Sequence, residues 1–293
     1  MTTETPKTKF SFKQGLCSLE SMQPAYDLFH LCESCDKVMP KIYWHTLKER
    51  QDDHQAMDYL CFTQNNQLVG MLNILFFSDT AEFTVLIHPD FRGQKIFKKL
   101  CQIAIMKLKN YVVSHYMLIS PFENECKREG AVWDHDEVEM RPPEVLPELL
   151  LKNPVTISQA SLDDIPILAS IHVESFEKPD YNAMVERYNV TLREPNRKAF
   201  LARNQQGEIV GKIHAREDFN RIYIHDVGIK REFRQQGYGK ALMLTWLKQH
   251  GNDYLDKPKA VEVLGNNVNA LKLYDACGFI TTNKYRFWKF EIP

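Results

Sequence analysis

The part of this sequence with the plainest chemistry is a turn that sets one arginine and two glycines as Arg234-x-x-Gly237-x-Gly239. Before it lies Ile222-Tyr-Ile-His-Asp-Val-Gly-Ile229, an apolar, β-branched run that reads as a strand. After it lies Ala241-Leu-Met-Leu-Thr-Trp-Leu247, which reads as a helix. A strand that feeds a helix through a glycine-rich turn leaves free N–H groups at the helix start. Together with the helix dipole they make a seat for a phosphate or pyrophosphate. Glycine at 237 and 239 lets the backbone approach the anion without a Cβ in the way. Two common phosphate fingerprints do not fit. A dinucleotide motif needs a third glycine or alanine where Leu242 stands, and a P-loop needs Ser or Thr after Gly239-Lys240, where Ala241 stands.

A second segment, Asn267-Val-Asn-Ala270-Leu-Lys-Leu273-Tyr274-Asp-Ala-Cys-Gly278-Phe279, reads as a helix. Ala270, Leu273 and Cys277 share one face, and Gly278 is placed to cap its C-terminus. Ala260-Val-Glu-Val-Leu264 before it reads as a strand. The turn resembles the acetyl-CoA pyrophosphate loop of the GNAT-type N-acetyltransferase superfamily, and the later segment resembles that family's Asn-x-x-Ala-x-x-Leu-Tyr-x-x-x-Gly-Phe element at every position. The resemblance covers roughly residues 155–293.

That resemblance implies an α+β fold and transfer of an acetyl group from acetyl-CoA to an amine. The pantetheine arm would lie in a V-shaped gap, bonded by main-chain groups of the segment Val227, Gly228 and Ile229. Amides of Gln235, Gln236, Gly237, Tyr238, Gly239 and Lys240 would surround the pyrophosphate, with Arg234 beside them and Asn267 on the arm. Tyr274 would protonate the leaving thiolate, for which a phenol of pKa about 10 is suited. The acceptor amine needs a base, with Glu217, Asp226 and His225 as candidates and Glu217 ranked first. His225 and Asp226 are neighbours on a strand, so regular alternation sends them to opposite faces. No metal is implied. An acyl-CoA-binding module without catalysis, or a transferase of a longer acyl group to a small molecule, are the alternatives.

The elements that must position these residues follow from the periodicity. In the second half, Val155-Thr-Ile-Ser-Gln159 opens a strand, Ser161 caps a helix reaching about Phe176, and a second helix spans roughly 181–192. A hairpin follows around Gln205-Gln206-Gly207, and Tyr285 to Glu291 alternates as a last strand. The prolines at 142, 143, 147 and 154 read as an inter-domain connection. The expected division is 1–144, a linker at 145–154, and 155–293.

The first half repeats the second. Leu68-Val69-Gly70 matches Ile209-Val210-Gly211, and Phe91-Arg92 matches Phe233-Arg234. With the arginines aligned, Lys95 stands at Gly237 and Phe97 at Gly239, so this copy keeps the scaffold while a ring is expected where the pyrophosphate would lie. Its elements are a strand at 10–14, a helix at 19–35, a further helical stretch near 42–49, a hairpin over 59–77, a strand at 82–87 and a helix at 96–111. The expectation is therefore two tandem domains, each a mixed, mostly antiparallel sheet flanked by helices, acting as a monomer with pseudo-dimeric pairing.

Composition bounds the rest. With 293 residues, 37 Lys and Arg against 38 Asp and Glu, the chain has no basic excess for nucleic acid or anionic membranes. No apolar run is long enough for a membrane span, the first nine residues lack a signal-peptide core, and seven cysteines without framework spacing suit a reducing cytoplasm. Cys32-Glu-Ser-Cys35 reads as a plain helix face, and Asp134-His-Asp-Glu137 as a charged loop. The partners expected are acetyl-CoA and an amine-bearing small molecule or peptide.

Overall fold

The computed structural model describes residues 9–15, 19–42, 44, 56–76, 80–109, 111, 113, 115–147, 151–176, 180–218, 221–250 and 257–291. The expected helical stretch near 42–49 lies largely outside the described residues. The chain divides into two compact units, Met1–Glu137 with Asn283–Pro293, and Val138–Thr282. Both are mostly antiparallel mixed sheets with helices, as expected. No described helix is long and apolar enough to cross a membrane.

In the first unit, β1 (Phe10–Gln14), β2 (Ala56–Thr63), β3 (Leu68–Phe76) and β4 (Thr80–Ile87) run antiparallel in sequence, and β4 pairs in parallel with β5 (His115–Ile119). Helices α1 (Leu19–Asp36), α2 (Ile96–Leu108) and α3 (Glu123–Arg128) complete it with β6 (Val132–Arg141). The second unit repeats the order. Its elements are β7 (Thr156–Gln159), α4 (Ile165–Ser175), α5 (Tyr181–Thr191), β8 (Arg197–Arg203), β9 (Ile209–Glu217), β10 (Ile222–Ile229), α6 (Tyr238–His250), β11 (Lys259–Leu264) and α7 (Val268–Ala276), followed by β12 (Ile280–Phe290), which from Asn283 onward belongs to the first unit.

The units do not follow the expected contiguous boundaries. Phe287 of β12 pairs with Ile119 of β5, so the end of the chain packs into the first unit. Conversely β6 lies beside β11, and its residues from Val138 onward belong to the second. The proline segment 142–147 is likewise part of the second unit, where Pro143 and Pro147 approach Gly278. Each copy's closing strand thus serves the other unit, a pairing that no local pattern encodes.

Strand alternation builds the second unit's two cores. Phe200 and Ala202 of β8 join a cluster with Leu242, Met243 and Trp246 of α6, while Ala199 and Leu201 join Leu168, Ile171 and Tyr188 of α4 and α5. Helix α4 is preceded by a capping box between Ser161 and Asp164. Two glycines allow crowding around β10. A Cβ on Gly211 would lie 2.6 Å from the Gly228 carbonyl oxygen, and one on Gly228 would lie 2.7 Å from Ser175 Oγ.

One sequence reading in the first unit changes and another keeps its place on a helix. Residues 134–137 are not a loop but part of β6, where Asp136 pairs with Lys284 at 2.6 Å and Glu137 pairs with Lys41. Cys32 sits on α1, donates to the Ile87 carbonyl at 3.3 Å, and burial pushes its thiol up to about 11, which keeps it an unreactive helix residue.

Candidate active site

The geometry that matters begins where β10 leaves its neighbours. Its parallel pairing with β11 stops at Ile224↔Val261, although β11 continues to Leu264 and β10 to Ile229. On the other side, the register with β9 jumps from His225↔His214 to Gly228↔Lys212. This bulge holds Asp226 at φ +49, a left-handed conformation that side chains avoid. Beyond it, Gly228 and Ile229 pair with β9, while the pairing with β11 has already ended, at the place where a V-shaped splay is expected. In the first unit β5 ends with its last pair, Thr84↔Ile119, and β3 and β4 keep unbroken register, so no such bulge forms there.

After β10 a short 3-10 turn, Arg231–Phe233, leads to the loop. Gln235 takes φ +58 and Gly237 φ +92, an alternation that turns successive amides to one side. The first bond back into the loop is from Ala241 N–H to the Gly237 carbonyl, so the amides of Tyr238, Gly239 and Lys240 precede the first closed turn of α6 and lack helical acceptors. Nothing lies within 4 Å of a Cβ built on Gly237. Gly239 has a different job from the one its spacing suggests: a Cβ there would meet Leu273 at 3.3 Å, so it lets α6 close on α7.

Arg234 also departs from expectation. Its Nε donates to the Ile229 carbonyl at 2.9 Å and its Nη2 to the Glu174 carbonyl at 2.5 Å, so it ties the loop to the ends of β10 and α4. The Glu174 carboxylate accepts from Arg231 N–H, and Asn153 donates to the Gln236 carbonyl. Asn267 caps α7 by accepting from Ala270 N–H, which leaves its side-chain NH2 available. Tyr274 is buried against Phe279, and burial, with Cys277 beside it, raises its phenol to about 12, so the proton stays in place at neutral pH.

Of the base candidates, Glu217 stands apart. It pairs with Lys257 at 2.8 Å and sits opposite Ile222, at the closed end of the splay. Six strand residues separate Ile222 from Ile229, roughly 20 Å of chain. Asp226 and His225, by contrast, come together: the bulge overrides alternation and brings His225 Nδ1 within 3.6 Å of the Asp226 carboxylate.

Around them is a buried cluster that strand and helix reading had not singled out. Lys212 on β9 is wholly buried, and its ammonium nitrogen bonds Tyr188 Oη and lies 3.2 Å from His172 Nδ1. Tyr188 Oη is 2.8 Å from His172 Nδ1 and donates to Asp226 Oδ2 at 3.4 Å. His214 Nδ1 lies 3.9 Å from the same carboxylate. Burial alone would raise the Asp226 carboxyl, but His225, His214 and Lys212 hold it well below the usual carboxylate range. Burial pushes Lys212 down to about 7, with Asp226 opposing, and His172 down to about 4, with Lys212 adding to it. With Lys212 inside it and Arg187 beside it, the cluster is poorly suited to a metal cation. The legible signal was β9 itself, where Lys212, His214 and Arg216 take every second position of a buried strand.

In the first unit the corresponding turn keeps its backbone. Gly93 and Lys95 take φ +77 and +64, the conformations of Gln235 and Gly237. Phe97 does not fill the space expected for it. Its ring is buried in the unit's core and walls a cleft of about 500 Å³ that also touches Phe122 and Arg128.

Comparison with known proteins supplies the remaining observations. The acetyltransferase (GNAT) family model matches twice, over residues 22–125 and 165–279. No curated protein sequence matches the chain. Among solved structures, a GCN5-related N-acetyltransferase from Sphaerobacter thermophilus superposes with a TM-score of 0.77 at 16% identity, covering 97% of this chain and 96% of that one. A tandem GNAT protein from the clavulanic acid biosynthesis pathway gives 0.70 at 15% identity over 97% and 99%. An acetyltransferase of the GNAT family from Colwellia psychrerythraea gives 0.62 at 15% identity over 97% and 100%.

Proposed function

The chain belongs to the acetyltransferase (GNAT) family, and from that premise we propose that its second unit moves an acetyl group from acetyl-CoA to an amine by direct attack. The observation that carries this is the coincidence of two features at one strand end. The β10–β11 pairing opens just where β10 runs into a loop whose backbone turns free amides outward.

The residues fit the co-substrate. Main-chain groups of Val227, Gly228 and Ile229 take the pantetheine arm as a missing strand would. Amides from Gln235 to Lys240 hold the pyrophosphate, and Arg234 keeps that loop in place without touching it. The free NH2 of Asn267 bonds the arm. An amide at the end of β10 polarises the thioester carbonyl and steadies the oxyanion that forms on attack. Tyr274 gives its proton to the departing sulfur. The acceptor nitrogen comes to the Asp226–His225 side of the bulge, and Glu217 has no part in the reaction. The acceptor is an amine-bearing small molecule or peptide, and the first unit, whose β3–β4 register has no corresponding bulge, carries none of this chemistry.

Calorimetry with acetyl-CoA and thiol release over a panel of amines test the reading. Binding that Gly237→Trp abolishes, with turnover on at least one amine, is expected. No binding, or binding indifferent to that substitution, overturns it. Binding without turnover on any amine leaves an acyl-CoA-binding module.

A further inference from the structure

The cluster around Lys212 has no role in the family reading and is expensive to keep. A fully buried lysine must be desolvated, and its side chain reaches across three other elements to be satisfied. It meets His172 from α4 and Tyr188 from α5, with Asp226 of β10 as the favourable charge, His214 of its own strand nearby, and Arg187 of α5 opposing as a like charge; His225 faces Asp226 from the same strand. Asp226 is the one anion among these groups. The bulge that opens the splay is the same one that aims this carboxylate into the cluster, so the cluster ends at the acyl site.

Resting on the acetyltransferase reading, we propose that Lys212, acting through Tyr188, takes up the proton that the acceptor amine loses at Asp226. Lys212 therefore does not touch the substrate; it is a positioning and proton-holding residue behind the site. The amine lone pair forms the N–C bond to the thioester carbonyl carbon, the C–S bond breaks, and sulfur leaves with the electron pair and takes the Tyr274 proton. The proton on the new N–C nitrogen passes along the Asp226 carboxylate to Tyr188, whose hydroxyl hands its own proton to the neutral amine of Lys212. Tyr188 stays a phenol throughout, which its burial beside Asp226 favours by raising its pKa. Water then removes the proton from Lys212 and restores the one on Tyr274.

A neutral lysine suits this task better than the carboxylate. Asp226 is held ionised and binds a proton only in passing, whereas an amine that titrates near the working pH accepts and releases one with little penalty. His172 stays neutral, and its Nδ1, 3.2 Å from the Lys212 nitrogen, accepts from that amine and holds it beside Tyr188.

Two measurements test this. Carbon-13 spectroscopy of labelled lysines reads Lys212 directly, with Lys212→Met identifying its signal. The expected signal titrates near neutrality and shifts in Tyr188→Phe; a chain in which every lysine titrates near its ordinary value overturns the proposal whatever the activity. In steady-state kinetics, Lys212→Met and Tyr188→Phe should each lower kcat by about 100-fold or more, the span of a lost acid–base contribution. KM for acetyl-CoA should hold, and the acid limb of the pH profile should disappear. Lys212→Arg, permanently charged, should not rescue. A Lys212→Met enzyme that folds and keeps the wild-type rate and pH profile overturns the proposal. If Lys212→Met does not fold, the Tyr188→Phe profile decides in the same way. Wild type inert toward every amine sinks the acetyltransferase reading instead, and the spectroscopic titration then decides whether Lys212 is a neutral-pH proton acceptor.

Discussion

Arg92 and Arg234 make the same bond in the two halves of the chain. Each donates its Nε to the carbonyl of the residue five places earlier, Ile87 at 3.3 Å and Ile229 at 2.9 Å. Each also reaches the helix before, Arg92 through both terminal nitrogens to the Asp36 carboxylate and Arg234 through Nη2 to the Glu174 carbonyl. An arginine read from spacing as a phosphate ligand is thus a clamp on the strand end. Arg234→Lys should lose the fork and weaken acetyl-CoA binding by roughly tenfold, the equivalent of one or two hydrogen bonds. Calorimetry measures it, and an unchanged affinity would sink the clamp.

The two turns share a backbone but differ at its second left-handed position, Lys95 in one and Gly237 in the other, which gives substitutions of opposite sign. Gly237→Ala forces a side chain into φ +92 and should cost about 1–2 kcal/mol, seen as weaker acetyl-CoA binding. Lys95→Gly relieves the same strain in the first unit and should raise its stability to urea by up to about 1 kcal/mol, net of the freedom glycine adds to the unfolded chain. Equal signs in both would mean the turns are not conformational equivalents.

Gly211 is set by crowding, since a Cβ would sit 2.6 Å from both the Gly228 carbonyl oxygen and Ile229 Cδ1. Gly211→Ala should push β9 from β10 at the splay and lower stability by about 1–3 kcal/mol, the usual cost of overpacking. Chemical denaturation gives the number, and a neutral result would show that the strands part freely.

Acid should loosen the second unit through His172. Its folded pKa of about 4 lies below its unfolded value, so between roughly pH 6.5 and 4 the unfolded chain binds the extra proton. Stability therefore falls as pH drops through that window, and His172→Gln should flatten the fall. Lys212 acts in the same sense higher up: with a folded pKa of about 7, it lets stability rise from pH 7 towards its unfolded value near 10.5. Melting temperatures across pH test both, and identical curves for wild type and His172→Gln would remove the histidine from the account.

What could be read from the sequence was local. The Arg234 turn, the capping of α7 by Gly278, and the order of strands and helices each depend on residues a few positions apart. The proposed acceptor side, at Asp226 and His225 rather than Glu217, was not ranked first because its assembly is not local. Alternation put His225 and Asp226 on opposite faces, and only the left-handed residue in the bulge, a tertiary feature, brings them together. Lys212, His172 and Tyr188 come from three elements, and their meeting follows from the packing of α4 and α5 on the strands. The partner of β12 was equally hidden, because an alternating strand does not say which edge it will join.

That last exchange has a bearing on how the chain comes to fold. Ile119 acquires its partner Phe287 only when the far end of the polypeptide exists, so the first unit emerges from the ribosome with an open edge and waits, unfinished, for the last eleven residues. A gene cut between the two repeats would not yield two independent proteins. It would yield two pieces, each carrying the other's final strand.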